Sequence, residues 1–324
     1  MSPFEQFLQQ LIIGLSNGMI IALIALGYTM VYGIIELINF AHGDLFMLGT
    51  FLALTLLGAL GLDPAKSSGA ASAFGILLMF VLCPLFCAGV NWSIDRLAYK
   101  PLRRAPKLAP LVSAIGVSFI LMNLGLFWGG LPMEVFAEGR AAAAPKNFPA
   151  LIPSTNVLTA LGLETKILFS WKDLLVWVVT IPVLVGLTLF VRFTRLGKAM
   201  RATAQNPVAA QLMGIDVDRV IGATFLIGGA LAGFASVVYS FYTNTIMFQL
   251  GFQQGLDAFT AAVLGGIGNL PGAALGGLVI GLIRSMSDQY IATHWTKVIV
   301  FSLLVVILVF RPNGLLGART REKV

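Results

Sequence analysis

Charge is scarce in this sequence: 11% of its 324 residues are charged and 58% are hydrophobic. Soluble domains carry about a quarter charged residues, so this composition, with a mean hydropathy of +0.90, excludes a soluble globular protein and requires a chain that crosses a bilayer repeatedly. Histidine and cysteine are nearly absent. His42 and His294 are far apart with no carboxylate or thiolate cluster beside either, so a metal site lacks its ligand set. Cys83 and Cys87 stand four apart on one expected transmembrane helix, where a disulfide is strained and only half a zinc site exists, so small apolar packing is the simpler role. No G-x-x-x-x-G-K-[ST] phosphate loop occurs, and no soluble stretch is long enough to hold a nucleotide. Acids and histidines are also nearly missing from the middles of the apolar runs, where an ion-coupled carrier keeps the groups that bind its driving ion. These absences favour a passive conduit moved by a partner over a carrier that works alone. Nucleophilic catalysis finds little support either. Ser16 in GLSNG is flanked by Gly14, Asn17 and Gly18, which more economically allow close helix packing or a local unwinding.

Long apolar runs supply what is present. Helical spans are expected over 11–33, 37–60, 70–94, 108–128, 172–192, 219–241 and 297–311. The first is too long, and lacks the basic start and small-residue cleavage site, for a removed signal peptide. The positive charge gathers at span ends: Arg96, Lys100, Arg103, Arg104 and Lys107; Arg192, Arg195, Lys198, Arg201 and Arg219; Arg311, Arg319, Arg321 and Lys323. All three clusters are expected on the cytoplasmic side, and without a soluble domain interleaving aromatics with bases they do not describe a nucleic-acid partner. The connection over 129–170 mixes Glu134, Glu138 and Glu164 with Arg140, Lys146 and Lys166 among prolines, and fits the outer side.

That topology leaves a parity problem. If 219–241 runs outward and 297–311 inward, the stretch between must return to its own side. It reads GLDAFTAAVLGGIGNLPGAALGGLVIGLIR, two apolar arms of about 11 and 13 residues around Gly265, Gly266, Gly268, Asn269, Pro271 and Gly272. A broken, re-entrant pair of half-helices meeting inside the membrane satisfies the parity, and such backbone is tolerated only beside protein or a water-filled path. The competing reading is one long helix kinked at Pro271. Parity places the N terminus outside if the first two spans are simple. The junction IELINFAHGD bears on that count: Glu36, Asn39 and His42 follow a three-residue spacing that puts them on one helix face, with Gly43 a possible break and Asp44 behind it. It reads either as a functional polar element or as a solvated helix end.

The remaining feature is the polar island RFTRLGKAMRATAQNPVAAQLMGIDVDR, Arg192 to Arg219. Leu196, Ala199, Met200 and Thr203 share one helical stripe; Arg195, Lys198, Arg201 and Gln205 lie opposite. A second short helix follows, with Asn206 as N-cap, Pro207 in first position and Gly214 as the left-handed terminator. Two readings fit: a basic segment lying on anionic lipid, or a docking element.

The run Gly14–Gly49 with LSNGMIIALIALGYTMVYGIIELINFAHGDLFMLG, GKAMRATAQNPVAAQLMGI at 197–215, DAFTAAVLGGIGNLPGAALGG at 257–277 and FRPNGLLG at 310–317 together resemble the permease subunits of bacterial branched-chain amino acid ABC importers, of the LivH type, over nearly the whole chain. The resemblance implies an all-α, polytopic permease of the bacterial inner membrane. It would form one domain over 1–324, with about eight transmembrane elements, a cytoplasmic coupling loop at about 194–218 and an extracytoplasmic loop at about 129–170. It further implies a second homologous permease, two cytoplasmic ATPase subunits that use ATP and Mg, and a periplasmic substrate-binding protein, with no cofactor in this chain. Leucine, isoleucine and valine are the implied substrates, while close relatives carry urea, amides or other amino acids. Ala209, Ala210 and Gly214 match the Ala-Ala-x-x-x-Gly core of the family's coupling loop, with Gly197, Arg201, Asn206 and Pro207 before it. The Glu that opens the better-known form of that loop has Val208 at its nearest position. For a translocation path, polarity within apolar context points to Asn17, Asn39, His42, Asn123 and Asn269.

Overall fold

A computed structural model describes residues 2–62, 69–103, 105–106, 108–139, 141–160, 162, 165–311 and 313–317. Arg104, Lys107, Arg140, Glu164, Arg319, Arg321 and Lys323 lie outside the described residues. The chain opens with α1 (Pro3–Ile35), started by a capping box in which the Glu5 amide donates to Ser2 Oγ and the Ser2 amide to the Glu5 carboxylate. There follow α2 (Ala41–Ala59), α3 (Gly69–Ile94) with a π turn and a 3-10 turn that carry it to Leu102, α4 (Leu108–Gly129), the single turn α5 (Val157–Ala160) and α6 (Trp171–Phe193). Next come α7 (Arg195–Gln205), α8 (Pro207–Leu212), α9 (Val217–Thr243), α10 (Leu250–Gly265), α11 (Leu270–Tyr290) and α12 (Thr293–Phe310). Among the described residues eight helices are long and apolar enough to cross a membrane, namely α1, α2, α3 with its continuation, α4, α6, α9, α11 and α12. This is an all-α, multi-pass membrane protein.

The spans sort into two shells. In their most apolar windows α1, α2 and α9 are 72%, 78% and 72% buried, whereas α4, α6 and α12 are 17%, 17% and 11% buried and present bare Leu, Val, Ile and Phe outward. Apolar residues all round an outer helix are expected where lipid replaces water. The inner helices meet through small residues. A Cβ on Gly281 of α11 would fall 2.3 Å from the Gly18 Cα of α1, and one on Gly18 would fall 2.8 Å from the Leu278 Cα. On the other side of the core, Gly229 and Gly233 of α9 press on the α3 backbone at Cys87, Ala88 and Pro84. Cys83 and Cys87 are both free and buried there, as packing residues.

All three basic clusters, as far as described, gather at one end of the bundle. Lys100 and Arg103 pair with Asp218, and a cavity there is lined by Arg192, Arg201 and Asn269. The opposite end holds the start of α1, where Gln9 exchanges hydrogen bonds with Leu168. The 129–170 connection is folded at that end: β1 (Lys146–Asn147) pairs antiparallel with β2 (Thr245–Ile246), and Phe136 and Phe148 are buried. Lys146 goes under with them, donating to the carbonyls of Phe136 and Ala141 at 3.2 and 2.6 Å, and burial lowers its pKa.

Two expectations need correction. The break between α10 and α11 falls at Gly266–Asn269, as the glycines require, and the hairpin returns to its own end, but it is not two half-helices meeting mid-membrane. Its turn lies at the basic end, against the segment after α12, and α11 has 21 residues, enough to cross alone. The apolar count stopped at Arg284, but the helix runs on because Arg284 pairs with Asp257 at 2.8 Å and Ser285 Oγ donates to the Gln10 carbonyl at 2.8 Å. α10, with 16 residues, starts inside the bundle, its Gly251 backed on Asp44. The second correction concerns Glu36, Asn39 and His42, which share no helix face. Glu36 ends α1 with φ 52°, the chain runs on non-helically, and of the three only His42 lies within a helix, α2.

Since the Gly281 contact is backbone on backbone, Gly281→Leu should destabilise by about 1–3 kcal/mol, read as a lowered unfolding midpoint in detergent. Gly186→Leu, on the open face of α6 with nothing within 4 Å, should not lower it.

Candidate functional site

At the basic end the island folds as two capped helices. Thr194 Oγ accepts from the Gly197 amide at 3.0 Å to start α7, whose buried face is Gly197, Met200 and Thr203 while Arg195, Lys198 and Arg201 stay exposed. Gly197 is required by the sharp exit from α6, since a Cβ there would sit 2.3 Å from the Val191 carbonyl oxygen. Arg201 folds back, Nη2 donating to the Arg192 carbonyl at 3.2 Å. Asn206 Oδ1 accepts from the Val208 and Ala209 amides at 3.0 and 3.1 Å, Pro207 takes the first position of α8, and Gly214 follows with φ 82°. Gly214 has open space around it, so its conformation and not its size is what the turn uses.

The two alanines of α8 divide the work. Ala210 is buried in the main core and receives the Ile215 amide on its carbonyl at 3.0 Å, so it seats the helix and is not itself a contact surface. Ala209 faces out with Val208, Leu212 and Met213, the last two 84% and 83% exposed. Sequence reasoning missed this apolar tip because a six-residue helix with small residues on several sides has no readable stripe.

Behind the tip runs a polar chain into the core. Asp218, at the start of α9, binds Lys100 Nζ at 2.8 Å and Arg103, and Arg103 Nη2 reaches Asp95 at 2.6 Å. Deeper, Tyr99 donates to Asn39 Oδ1 at 2.7 Å, Asn39 Nδ2 to Asn91 Oδ1 at 3.3 Å, and Asn91 Nδ2 to the Phe225 carbonyl of α9 at 2.7 Å. Tyr99, Asn39 and Asn91 are buried, where an unpaired polar group would be costly, and each has a partner.

The path residues expected from polarity therefore scatter. Asn39 is a buried strut, not a lining residue. His42 is buried between Gly27 and the edge of Tyr28, whose ring centroid lies 4.8 Å away. Asn123 is exposed on the outer face of α4 and donates to its own Phe119 carbonyl at 2.8 Å. Asn17 is half-buried on α1. Asn269 caps α11 through the Gly272 amide at 3.1 Å and donates to the Leu316 carbonyl at 2.6 Å, while lining the basic-end cavity.

The apolar cavity lies elsewhere. Between α2, α4 and α10 is a space of about 450 Å³ lined by Tyr28, Phe40, Ile115, Phe119, Phe252, Phe259 and others, with Asp44 and Ser118 as its polar groups. Asp44 is buried, accepts from Ser118 Oγ on one oxygen, and has no partner on Oδ1. The sequence signal was present, since Asp44 is an acid embedded between two apolar runs, but His42 and Asn39 drew attention first.

The family described as branched-chain amino acid transport system / permease component matches residues 10–309. The chain is 38% identical to the high-affinity branched-chain amino acid transport system permease protein LivH of Salmonella typhimurium, covering 99% of both proteins. It is 40% identical to the corresponding permease protein BraD of Pseudomonas aeruginosa over 100% of both, and 38% identical to LivH of Escherichia coli K12 over 99% of both. No solved structure matches the chain.

Asn91 and Asn123 give opposite expectations despite their shared chemistry. Asn91→Leu strands two buried polar groups and should cost about 1–3 kcal/mol of stability, whereas Asn123→Leu, on the lipid face, should be neutral or stabilising. Detergent unfolding of the two variants side by side checks this.

Proposed function

The chain belongs to the family of branched-chain amino acid transport permease components, and from that premise we propose that it forms the membrane path of an ATP-binding cassette importer for leucine, isoleucine and valine. It sits in the bacterial inner membrane with its basic end in the cytoplasm, as the excess of Lys and Arg there favours. A second homologous permease completes the path, a periplasmic binding protein delivers substrate at the opposite end, and two ATPase subunits hold ATP and Mg.

The observation that carries the coupling role is α8. A six-residue helix capped by Asn206, closed by Gly214 and seated by buried Ala210 is rigid, and it holds Val208, Ala209, Leu212 and Met213 clear of the bundle. An exposed apolar tip set among polar residues fits a protein contact. A hydrophobic insert on the ATPase side accounts for it where lipid does not, because α7 already turns its own apolar stripe inward and leaves Arg195, Lys198, Arg201 and Gln205 to face headgroups. The salt bridges of Asp218 with Lys100 and Arg103 tie the exit of the loop to the end of α3.

The test uses the assembled transporter in proteoliposomes. Leu212→Asp with Met213→Asp should reduce leucine uptake and substrate-stimulated ATP hydrolysis at least tenfold with unchanged amounts of chain in the membrane. Undiminished uptake would remove the docking assignment, and uptake by this chain alone under an ion gradient would replace the ATP-driven reading with a carrier.

A further inference from the structure

We propose that the cavity between α2, α4 and α10 is a subsite for an aliphatic amino acid, with Asp44 receiving its ammonium group. The subsite deepens the transport reading above, and it stands on four observations of its own.

First, Asp44 has neither of the arrangements that settle the other buried acids. Asp257 has Arg284 at 2.8 Å, Asp95 has Arg103 at 2.6 Å on one oxygen, and Asp173 caps its own helix through Ser170, while among the described residues no cation reaches Asp44 and its Oδ1 is without a hydrogen-bond partner. An uncompensated carboxyl in such surroundings is costly, and the cost is relieved when a cation enters. Second, that carboxyl borders a cavity of about 450 Å³, within the range of about 300–1,000 Å³ typical of small-molecule sites. Its walls are mostly apolar and aromatic, which suits a branched hydrocarbon side chain better than a bare metal cation.

Third, the close approach of α10 to Asp44 depends on missing side chains. A Cβ on Gly251 would lie 2.5 Å from Asp44 Oδ1, and one on Gly255 would lie 3.0 Å from the Tyr28 hydroxyl. Fourth, α10 begins at Leu250 with no side chain capping its first turn; the Leu250 amide goes to the Met247 carbonyl at 3.1 Å, and Gly251 and Phe252, which follow it, line the same cavity. Uncapped first-turn amides at a positive helix end are donors for a carboxylate. One wall thus offers an acceptor for the ammonium, the next offers donors for the carboxylate, and the rest offers hydrocarbon.

The experiment measures binding of radiolabelled leucine to the purified chain in nanodiscs, with 3-methylbutylamine, which lacks the carboxylate, and 4-methylpentanoate, which lacks the ammonium, as competitors. The amine should compete at least tenfold better than the acid, and Asp44→Asn should abolish that preference and weaken leucine binding at least tenfold. Phe252→Trp, at a partly exposed wall position that leaves the carboxyl untouched, should weaken leucine more than alanine. Binding that ignores the ammonium, or that is unchanged in both variants, overturns the subsite. If the amine preference follows Asp44 while the assembled transporter carries no branched-chain amino acid, the transport reading falls and the subsite stands.

Discussion

Backbone groups shut away from water must find partners within the protein, and the turn between α10 and α11, packed at the basic end under the segment after α12, is where this fold meets that demand. α10 stops at Gly265 with carbonyls that no further helical turn can satisfy. The segment after α12 supplies the donors: the Leu315 amide reaches the Leu264 carbonyl at 2.9 Å and the Leu316 amide reaches Gly265 at 3.0 Å. Gly266, Gly268 and Gly314 take positive φ to make the fit, and a Cβ on Gly314 would lie 2.5 Å from the Gly266 nitrogen. Asn269 fastens the other arm by capping α11 and binding Leu316. With this clamp closed, α11 is set against α1 through Gly18 and Gly281, and α10 is held where its first turn meets Asp44.

The buried polar groups follow the same economy. Asn39, Asn91 and Tyr99 satisfy one another and the Phe225 carbonyl, and Asp257 satisfies Arg284. These pairs fix helix positions, because each links elements distant in sequence, and partial satisfaction would cost more than an apolar core. Against that background Asp44 stands out as an acid with one oxygen occupied by Ser118 and one unpartnered at the edge of a cavity. Polarity alone selects poorly between strut and site; what separates Asn39 from Asp44 is whether the partner lies within the chain.

Much of the fold was legible because lipid makes it so. Spans announce themselves by length and apolarity, and the crossing helices lie within a few residues of the expected runs, apart from α1, which starts eight residues early, α3, which its π and 3-10 turns carry eight residues further, and α11. The caps at Asn206 and Pro207 and the left-handed Gly214 were readable from local rules. What failed were readings that needed a partner in space. Arg284 looked like the end of an apolar arm until Asp257 was found beside it, and FRPNGLLG had no visible purpose until its amides met α10. The spacing of Glu36, Asn39 and His42 suggested a helix face that the left-handed Glu36 abolishes. Ala210 and Ala209 are equal in sequence, and only burial tells seat from surface.

These arrangements place the docking tip and the cavity on one mechanical line. α8 leads through Ile215 into Asp218, Asp218 grips Arg103, and Arg103 grips Asp95 at the end of α3. Tyr99 of that same turn holds Asn39, and the next residue, Phe40, is a wall of the cavity. α9 joins the line twice, through Asp218 and through the Phe225 carbonyl that Asn91 binds. A displacement of α8 relative to α3 cannot be taken up by slack, since the segments between are short and hydrogen-bonded. It must either break the Asp218 ion pairs or move the junction of Tyr99, Asn39 and Phe40. The ion pairs lie at the partly exposed end, where such contacts are weak, about 0–1 kcal/mol each, while the Asn39 cluster is buried and stronger. The ion pairs are therefore the first to yield, and the buried Asn39 cluster keeps Tyr99, Asn39 and Phe40 together as a unit behind them.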